Sequence, residues 1–155
     1  MRPLRILIAE DNDDHAELIM DVLEESSCPS VVDRKINGRD LLDYIELLAA
    51  AGPNVPLPEL ILLDIKMPLV NGISALEHLK KHPTLKKIPV IMLSTSANAQ
   101  EVERCYELGA NSYIVKPFDH TEFEDKLRNL RGYWSETTLL PQIVSGAMND
   151  KPGSD

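Results

Sequence analysis

The stretch that decides the fold is LILLDIKMPLVNG, residues 60 to 72, in which an apolar run ends in the carboxylate of Asp64. The run Leu60 to Leu63 is typical of a strand that is buried on both faces, as in a parallel sheet. Asn71-Gly72 then forms a turn from which a helix can begin. Asp64 is therefore predicted at the end of a strand, where ligands gather in open parallel sheets. An ordinary turn residue is the alternative interpretation, because aspartate is common at such boundaries.

The same succession of an apolar strand and an amphipathic helix occurs five times along the chain. The predicted strands are residues 4–9, 31–36, 60–63, 89–93 and 111–115. Alternating strands and helices predict an α/β fold, in which helices cover both faces of a parallel sheet. Right-handed crossovers place the C-terminal ends of all the strands at one edge of that sheet. The polar side chains expected at this edge are Asp11, Asp64, Ser94 and Lys116.

Composition limits the classes of function. The 155 residues are enough for one domain with its own core, and the net charge of −9 argues against non-specific binding to nucleic acid or to anionic membranes. No run of 18 apolar residues and no signal peptide occurs, so we expect a cytoplasmic protein. Cys28 and Cys105 lie 77 positions apart, a spacing that predicts neither a disulfide framework nor a zinc site.

The turn after the first strand predicts a cation site and not a phosphate cradle. Its sequence is Glu10-Asp11-Asn12-Asp13, without the glycines that let a backbone approach a phosphate. Carboxylates repel phosphate, whereas Mg²⁺ takes one or two carboxylates together with waters and phosphate oxygens. An ionised Asp64 beside such an ion can attack phosphorus and form an acyl phosphate. Ser94 and Lys116 are the hydroxyl and the ammonium available to stabilise charge on the phosphoryl oxygens.

Four motifs in this order resemble the receiver domain of bacterial response regulators in two-component signalling. They are ILIAEDN, LILLDIKMPLVNG, PVIMLST and GANSYIVKPF, and the resemblance covers about residues 4 to 134. It implies a flavodoxin-like, doubly wound (βα)5 fold with five parallel strands in the order 2-1-3-4-5. It also implies a protein that accepts a phosphoryl group on Asp64 from a histidine kinase. Such a phosphoacceptor assists its own phosphorylation and dephosphorylation and is not otherwise an enzyme.

The resemblance also implies a role for each pocket residue. Mg²⁺ or Mn²⁺ would be held by Glu10, Asp11, Asp64 and the backbone carbonyl of Lys66. Lys116 and Ser94 would bind the phosphoryl group, and Ser94 and Tyr113 would form a hydroxyl–aromatic switch. The family further implies a cis peptide bond between Lys116 and Pro117.

Three further segments resemble the single-domain response regulators of bacterial and cyanobacterial phytochromes. They are the loop from Ala49 to Pro58, LKKIPVIMLSTSA, and the ending RGYWSETTLLP. This resemblance implies a phytochrome-type kinase as partner, signalling through protein contacts, and a homodimer formed through the fifth helix and the tail. We therefore divide the chain into a receiver domain, residues 1–134, and a C-terminal tail, residues 135–155, with a disordered end. The alternative is that Tyr133, Trp134, Leu139 and Leu140 fold back on their own core.

Three other functions are alternatives to a phosphoacceptor. A degenerate receiver would act only as a binding module, but all four pocket residues are present. An aspartyl-phosphate hydrolase would need a carboxylate two residues after the nucleophile, where this chain has Lys66. A flavodoxin-like cofactor carrier is disfavoured by the acidic first turn. His15 has no second histidine at ligand spacing, so we expect it on the helix surface and not in a metal site.

Overall fold

A computed structural model, which describes residues 3–25 and 30–145, contains one sheet of five parallel strands in the order 2-1-3-4-5. The predicted fold class and strand order are confirmed. The strands are β1 (Leu4–Ala9), β2 (Ser30–Lys35), β3 (Leu60–Asp64), β4 (Val90–Ser94) and β5 (Ser112–Val115). The helices are α1 (Asp13–Leu23), α2 (Gly38–Ala49), α3 (Gly72–Lys81), α4 (Ala99–Glu107) and α5 (His120–Gly132). Cys28 and residues 146–155, including the predicted disordered end, lie outside the described residues.

Side chains that alternate along the central strands fill two separate cores. Leu7 of β1 packs with α2 and α3, whereas its neighbour Ile8 packs with α1 and α5. This alternation explains why the central strands are almost purely apolar, since each face buries its own set. Fully burying one leucine contributes about 1.5–3 kcal/mol. Across residues 3–25 and 30–145, we find no helix with the length and apolar character that crossing a bilayer requires.

An asparagine or aspartate precedes each of the five helices and caps its first turn. These N-cap residues are Asn12, Asn37, Asn71, Asn98 and Asp119. Thr121 begins a capping-box sequence, but the carboxylate of Asp119 is the cap, accepting from the backbone amides of Thr121 at 2.7 Å and Glu122 at 3.4 Å. Each cap is worth about 1 kcal/mol, so the caps fix where the helices begin.

Gly72 lies against the backbone of Asp64, and this contact sets the geometry of the loop after β3. The Gly72 amide donates to the carbonyl of Ile65 at 2.8 Å. A Cβ atom at position 72 would collide with the carbonyl oxygen of Asp64. We expect Gly72→Ala to lower the free energy of unfolding by about 2–3 kcal/mol, because the crowded backbone of Asp64 and Ile65 would have to shift.

Gly132 provides the matched control, because nothing lies within 4 Å of a Cβ built at that helical position. Gly132→Ala should be neutral or stabilising by up to about 1 kcal/mol, since alanine favours a helix over glycine. Urea unfolding of both variants measures the difference. Equal transition midpoints for Gly72→Ala and wild type would contradict the predicted collision.

After α5 the chain makes a π-helical turn, Tyr133–Thr137, and then passes from one core to the other. Leu140 is buried with α1 and α5, whereas Ile143 is buried on the other face of the sheet beside α2 and α3. The Leu57 amide donates to the carbonyl of Ile143 at 3.1 Å, and the Ser145 amide donates to the carbonyl of Val55 at 2.8 Å. The segment 138–145 is thus tied to the loop that precedes β3. Within the tail, Leu139 is 96% exposed.

Candidate functional site

The C-terminal ends of four neighbouring strands, β1, β3, β4 and β5, bring the predicted polar residues together. In the sheet, Asp64 of β3 pairs with Leu93, and Ser94 of β4 pairs with Val115, which precedes Lys116. A pocket of about 160 Å³ opens at this edge. Its lining residues are Glu10, Asp11, Asn12, His15, Asp64, Lys66, Ser94, Thr95 and Lys116. The structure therefore gathers the acidic turn, the serine and the lysine around Asp64, as the sequence predicts.

Lys116 is the buried cation of the pocket, with 4% of its side chain exposed. Its Nζ lies 2.6 Å from Oε1 of Glu10 and 3.3 Å from Oδ1 of Asp64. Removing an ammonium group from water costs several kcal/mol, which these two carboxylates offset. Lys116 is consequently held between them and directed at the carboxylate of Asp64.

Glu10 is positioned through both its backbone and its side chain. The guanidinium of Arg34 donates to the Glu10 carbonyl at 2.7 and 3.0 Å, and the Glu10 amide donates to the carbonyl of Lys35 at 3.0 Å. The Asn12 amide donates to Oε2 of the Glu10 carboxylate at 3.3 Å. Edge strand β2 therefore fixes the acidic turn at the mouth of the pocket.

Asp64 is only 7% exposed, and its carboxyl group shares the pocket with a second carboxylate. Burial, and then the charge of Glu10, raise the pKa of Asp64 from 3.8 to about 7, although Lys116 acts in the opposite direction. One lysine does not balance the acidic groups of this pocket. The site thus favours a second cation, which would relieve the repulsion between the carboxylates.

Oxygen atoms of Glu10, Asp11 and Asp64 lie within 4.8 Å of one another, so the three carboxylates could share one ion. Glu10 and Asp64 are buried, whereas Asp11 is exposed and leaves the ion a route from solvent. An all-oxygen donor set suits a hard cation such as Mg²⁺ or Mn²⁺. The residues present therefore fit the divalent ion that the sequence predicts.

Comparison with known proteins identifies the family. The sequence profile of the response regulator receiver domain matches residues 6–128. The chain belongs to this family. Receiver domains are phosphorylated by histidine kinases, and they bind Mg²⁺ or Mn²⁺ in an acidic pocket.

Two proteins related in sequence match most of this receiver domain. Rcp1, a response regulator from Synechocystis sp., is 35% identical over 141 residues, which are 90% of this chain and 94% of Rcp1. The probable methanogenesis regulatory protein FilR2 from Methanothrix harundinacea is 33% identical over 132 residues, or 85% of this chain and 84% of FilR2.

Solved structures of this family have the same fold. The crystal structure of the phosphorylated cyanobacterial phytochrome response regulator RcpA superposes with a TM-score of 0.83 at 32% identity, covering 91% of this chain and all of RcpA. The Mn²⁺-bound form of Rcp1 has a TM-score of 0.81 at 32% identity, covering 90% of this chain and 99% of Rcp1.

The side chains of Ser94 and Tyr113 both form hydrogen bonds with the backbone of Ser96, just beyond β4. Oγ of the buried Ser94 accepts from the Ser96 amide at 3.0 Å, and the Tyr113 hydroxyl donates to the Ser96 carbonyl at 2.8 Å. Burial is also the main cause that raises the pKa of Tyr113. The two residues that the resemblance implies as a switch are therefore linked through one residue of the β4–α4 loop.

One expectation about this site is wrong, because the Lys116–Pro117 peptide bond is trans. The amide bond before a proline prefers the trans form by only about 0.5–1 kcal/mol, so sequence alone does not determine the isomer. Lys116 reaches Glu10 and Asp64 with the bond in this form.

The side chain of Lys66 is exposed, although the residue lines the pocket. Its predicted contribution to metal binding is a backbone carbonyl, which a side-chain substitution leaves in place. We expect Lys66→Ala to form the Mg²⁺-dependent phosphoryl adduct within about twofold of the wild-type rate, since no charge-assisted contact is lost. Intact-mass measurements after incubation with acetyl phosphate test this, and complete loss of the adduct would contradict the backbone assignment.

His15 is the pocket residue whose position the sequence did not predict. The sequence predicts a place on the helix surface, but His15 is partly buried and its Nδ1 lies 3.2 Å from Nζ of Lys116. Its place in the first turn of α1, four residues after Asp11, was the available signal. Since α1 begins at Asp13, directly after the acidic turn, a side chain in its first turn starts close to the edge of the sheet where the pocket lies.

Proposed function

We propose that Asp64 accepts a phosphoryl group from the phosphohistidine of a histidine kinase. The observation that carries this proposal is the buried Asp64 carboxylate at the end of β3, with a lysine ammonium 3.3 Å away and two further carboxylates beside it. In the transfer, an Asp64 oxygen forms a bond to phosphorus while the bond from phosphorus to the imidazole nitrogen breaks. The departing imidazole keeps the electron pair and the kinase histidine returns to its neutral form on protonation.

The proposed role of each side chain follows from its chemistry. Lys116 donates to a phosphoryl oxygen, and the hydroxyl of Ser94 turns from the Ser96 amide to a second phosphoryl oxygen. A divalent ion held by Glu10, Asp11, Asp64 and the Lys66 carbonyl supplies charge neutralisation when bound. Such fixed charges and donors are the main source of catalysis in phosphoryl transfer, because the protein has little covalent chemistry to perform.

We further propose that Ser94 and Tyr113 transmit the phosphorylation of Asp64 to the protein surface. When the Ser94 hydroxyl leaves Ser96, the loop that also holds the Tyr113 hydroxyl loses one of its two anchors. The aromatic ring can then change its packing between β5 and α4. The expected result is an altered surface at α4, β5 and α5, which a protein partner can recognise.

The partner that we propose is a phytochrome-type kinase, because RcpA is a cyanobacterial phytochrome response regulator. Signalling would proceed in the cytoplasm through protein contacts. The net charge of −9 disfavours nucleic acid as a direct target. The test is intact-mass measurement after incubation with acetyl phosphate, with Mg²⁺ and with EDTA. A single adduct that requires Mg²⁺ supports the proposal, and its absence under both conditions would favour a binding module.

We propose a homodimer formed through α5 and the tail. Leu139 is 96% exposed, Tyr133 is 50% exposed, and Tyr133 stacks edge-to-face on Trp134 with centroids 5.2 Å apart. Tyr133 and Trp134 border a groove between β5 and α5 that Ile114 also lines. Exposed aromatic and aliphatic clusters of this kind mark interaction sites.

We expect Leu139→Glu to weaken the dimer by at least tenfold, because a charge replaces an apolar contact at the interface. Leu69→Glu is the control, since Leu69 is 78% exposed but lies in the loop after β3. Light scattering over a concentration series measures the mass of each variant. A wild-type protein that is monomeric throughout would refute the dimer.

A further inference from the structure

The ring of His15 forms the wall of the phosphorylation pocket on the α1 side, and the function proposed above gives it no role. The ring also lines an outer cleft beside α1, so it separates the two spaces. It stands nearly perpendicular to the ring of Phe123, which is 2% exposed, at a centroid distance of 6.4 Å and an angle of 88°. The His15 amide donates to the capping oxygen of Asn12 at 2.9 Å. Backbone and ring are therefore both fixed.

The contact with Lys116 determines which ring nitrogen carries the proton. Nδ1 of His15 lies 3.2 Å from Nζ of Lys116. An ammonium group has three donors and no acceptor, so Nδ1 must offer its lone pair and the proton must be on Nε2. Burial, and then the charge of Lys116, lower the pKa of His15, which favours this neutral form.

The three hydrogens of Lys116 match three acceptors in the pocket. Two are the carboxylates of Glu10 at 2.6 Å and Asp64 at 3.3 Å, and the third is Nδ1 of His15. The short contact to Glu10 draws the ammonium toward that carboxylate. A neutral acceptor on α1 restrains it without adding charge to a pocket that already holds three carboxylates. Small displacements of a catalytic group have large effects on rate, so this restraint has a kinetic consequence.

We propose that His15 is a positioning residue that holds the ammonium group of Lys116 in place for phosphoryl transfer to Asp64. The inference rests on the proposed function of Asp64 and adds a residue to it. His15 acts through Lys116 and needs no contact with the phosphoryl group. What it contributes is one hydrogen-bond acceptor at the position of Nδ1.

Three substitutions separate this role from simple packing. In His15→Asn, the side-chain oxygen lies one bond beyond Cγ, as Nδ1 does, so the acceptor is kept. His15→Gln places its polar atoms one bond further out, and His15→Leu keeps only the bulk. We expect His15→Asn to form the adduct with acetyl phosphate and saturating Mg²⁺ within about twofold of wild type, and the other two about tenfold more slowly.

The outcomes distinguish this inference from the function on which it rests. If wild type forms no adduct, or Asp64→Asn still forms one, the proposed function fails. If wild type forms the adduct and all three His15 variants match it, the positioning role is refuted. Three equally slow variants also refute it, because they would indicate a packing role. Urea unfolding of each variant identifies any loss of rate that comes from unfolding.

The ring tautomer provides a test that does not depend on the reaction. A long-range ¹H–¹⁵N spectrum of the histidine rings, recorded in EDTA, reports which nitrogen of His15 is protonated. The spectrum of His15→Asn identifies the signals that belong to this residue. We expect the Nε2–H form, and an Nδ1–H form would overturn the inference.

Discussion

Asp64→Asn is expected to abolish the Mg²⁺-dependent phosphoryl adduct and, at the same time, to make the metal-free protein more stable. The amide lacks the anionic oxygen that attacks phosphorus, so intact-mass measurement should show no adduct. The gain in stability has a separate cause, because the wild-type carboxylate is buried beside Glu10 and its pKa is raised from 3.8 to about 7. An uncharged amide removes that unfavourable charge.

The sign of the pH dependence follows from the raised pKa of Asp64. Between pH 3.8 and about 7 the folded protein holds a proton that the unfolded chain has released. Stability in EDTA should therefore decrease as the pH rises through this window. Asp64→Asn removes this contribution, so the variant should exceed wild type by about 4 kcal/mol near pH 8 and by little near pH 4.

Urea unfolding in EDTA at pH 4 and pH 8 measures this difference. Asp43→Asn is the control, because it makes the same change of charge on the exposed face of α2. A phosphoryl adduct on Asp64→Asn would show that another residue accepts the group. A variant less stable than wild type at pH 8 would show that the Asp64 charge is compensated in the folded protein.

Lys116→Met should produce the largest loss of stability among substitutions in the pocket. The methionine keeps much of the aliphatic volume but leaves Glu10 and Asp64 buried without a cation. Removing one partner of a buried ion pair lowers the free energy of unfolding by about 3–5 kcal/mol. In EDTA we expect a loss of that size, and Mg²⁺ should recover much of it by binding the same carboxylates.

Lys81→Met is the matched control for this substitution. Lys81 forms an ion pair with Glu77 on α3, but its side chain is 75% exposed, so we expect a change below about 0.5 kcal/mol. Urea unfolding with EDTA and with Mg²⁺ compares the two variants. Equal stability of Lys116→Met and wild type in EDTA would mean that the ammonium does not stabilise the buried carboxylates.

The phosphoryl adduct should form at least about tenfold more slowly in Lys116→Met, since a fixed positive charge beside the phosphoryl oxygens is lost.

The parts of the fold that could be predicted from the sequence are those that one physical pattern determines. Central strands such as β3 are apolar throughout because both faces are buried, so their position follows from composition alone. The connection rules for parallel strands then bring Asp64, Ser94 and Lys116 to one edge. Because strand ends and an acidic turn define the pocket, most of the candidate site could also be predicted from the sequence.

Other features depend on three-dimensional detail that no periodic pattern encodes. Leu140 and Ile143 are isolated apolar residues after the last helix, and nothing in their spacing shows that each enters a different core. The contact of His15 with Lys116 depends on how Phe123 orients the imidazole ring. Tyr106 has helical spacing appropriate to the core, yet it is 49% exposed because Cys105 takes the buried position on α4.

The asparagine caps have a consequence for how this protein ages. Asn37-Gly38 and Asn71-Gly72 are the dipeptide type most prone to deamidation, in which the glycine nitrogen attacks the asparagine side chain. In the folded protein the Asn71 side-chain oxygen accepts from the Ser74 amide, while the Gly72 amide donates to the Ile65 carbonyl. Both reacting groups are thus restrained, so chemical damage at this dipeptide should accumulate mainly in molecules that have opened the loop beside Asp64.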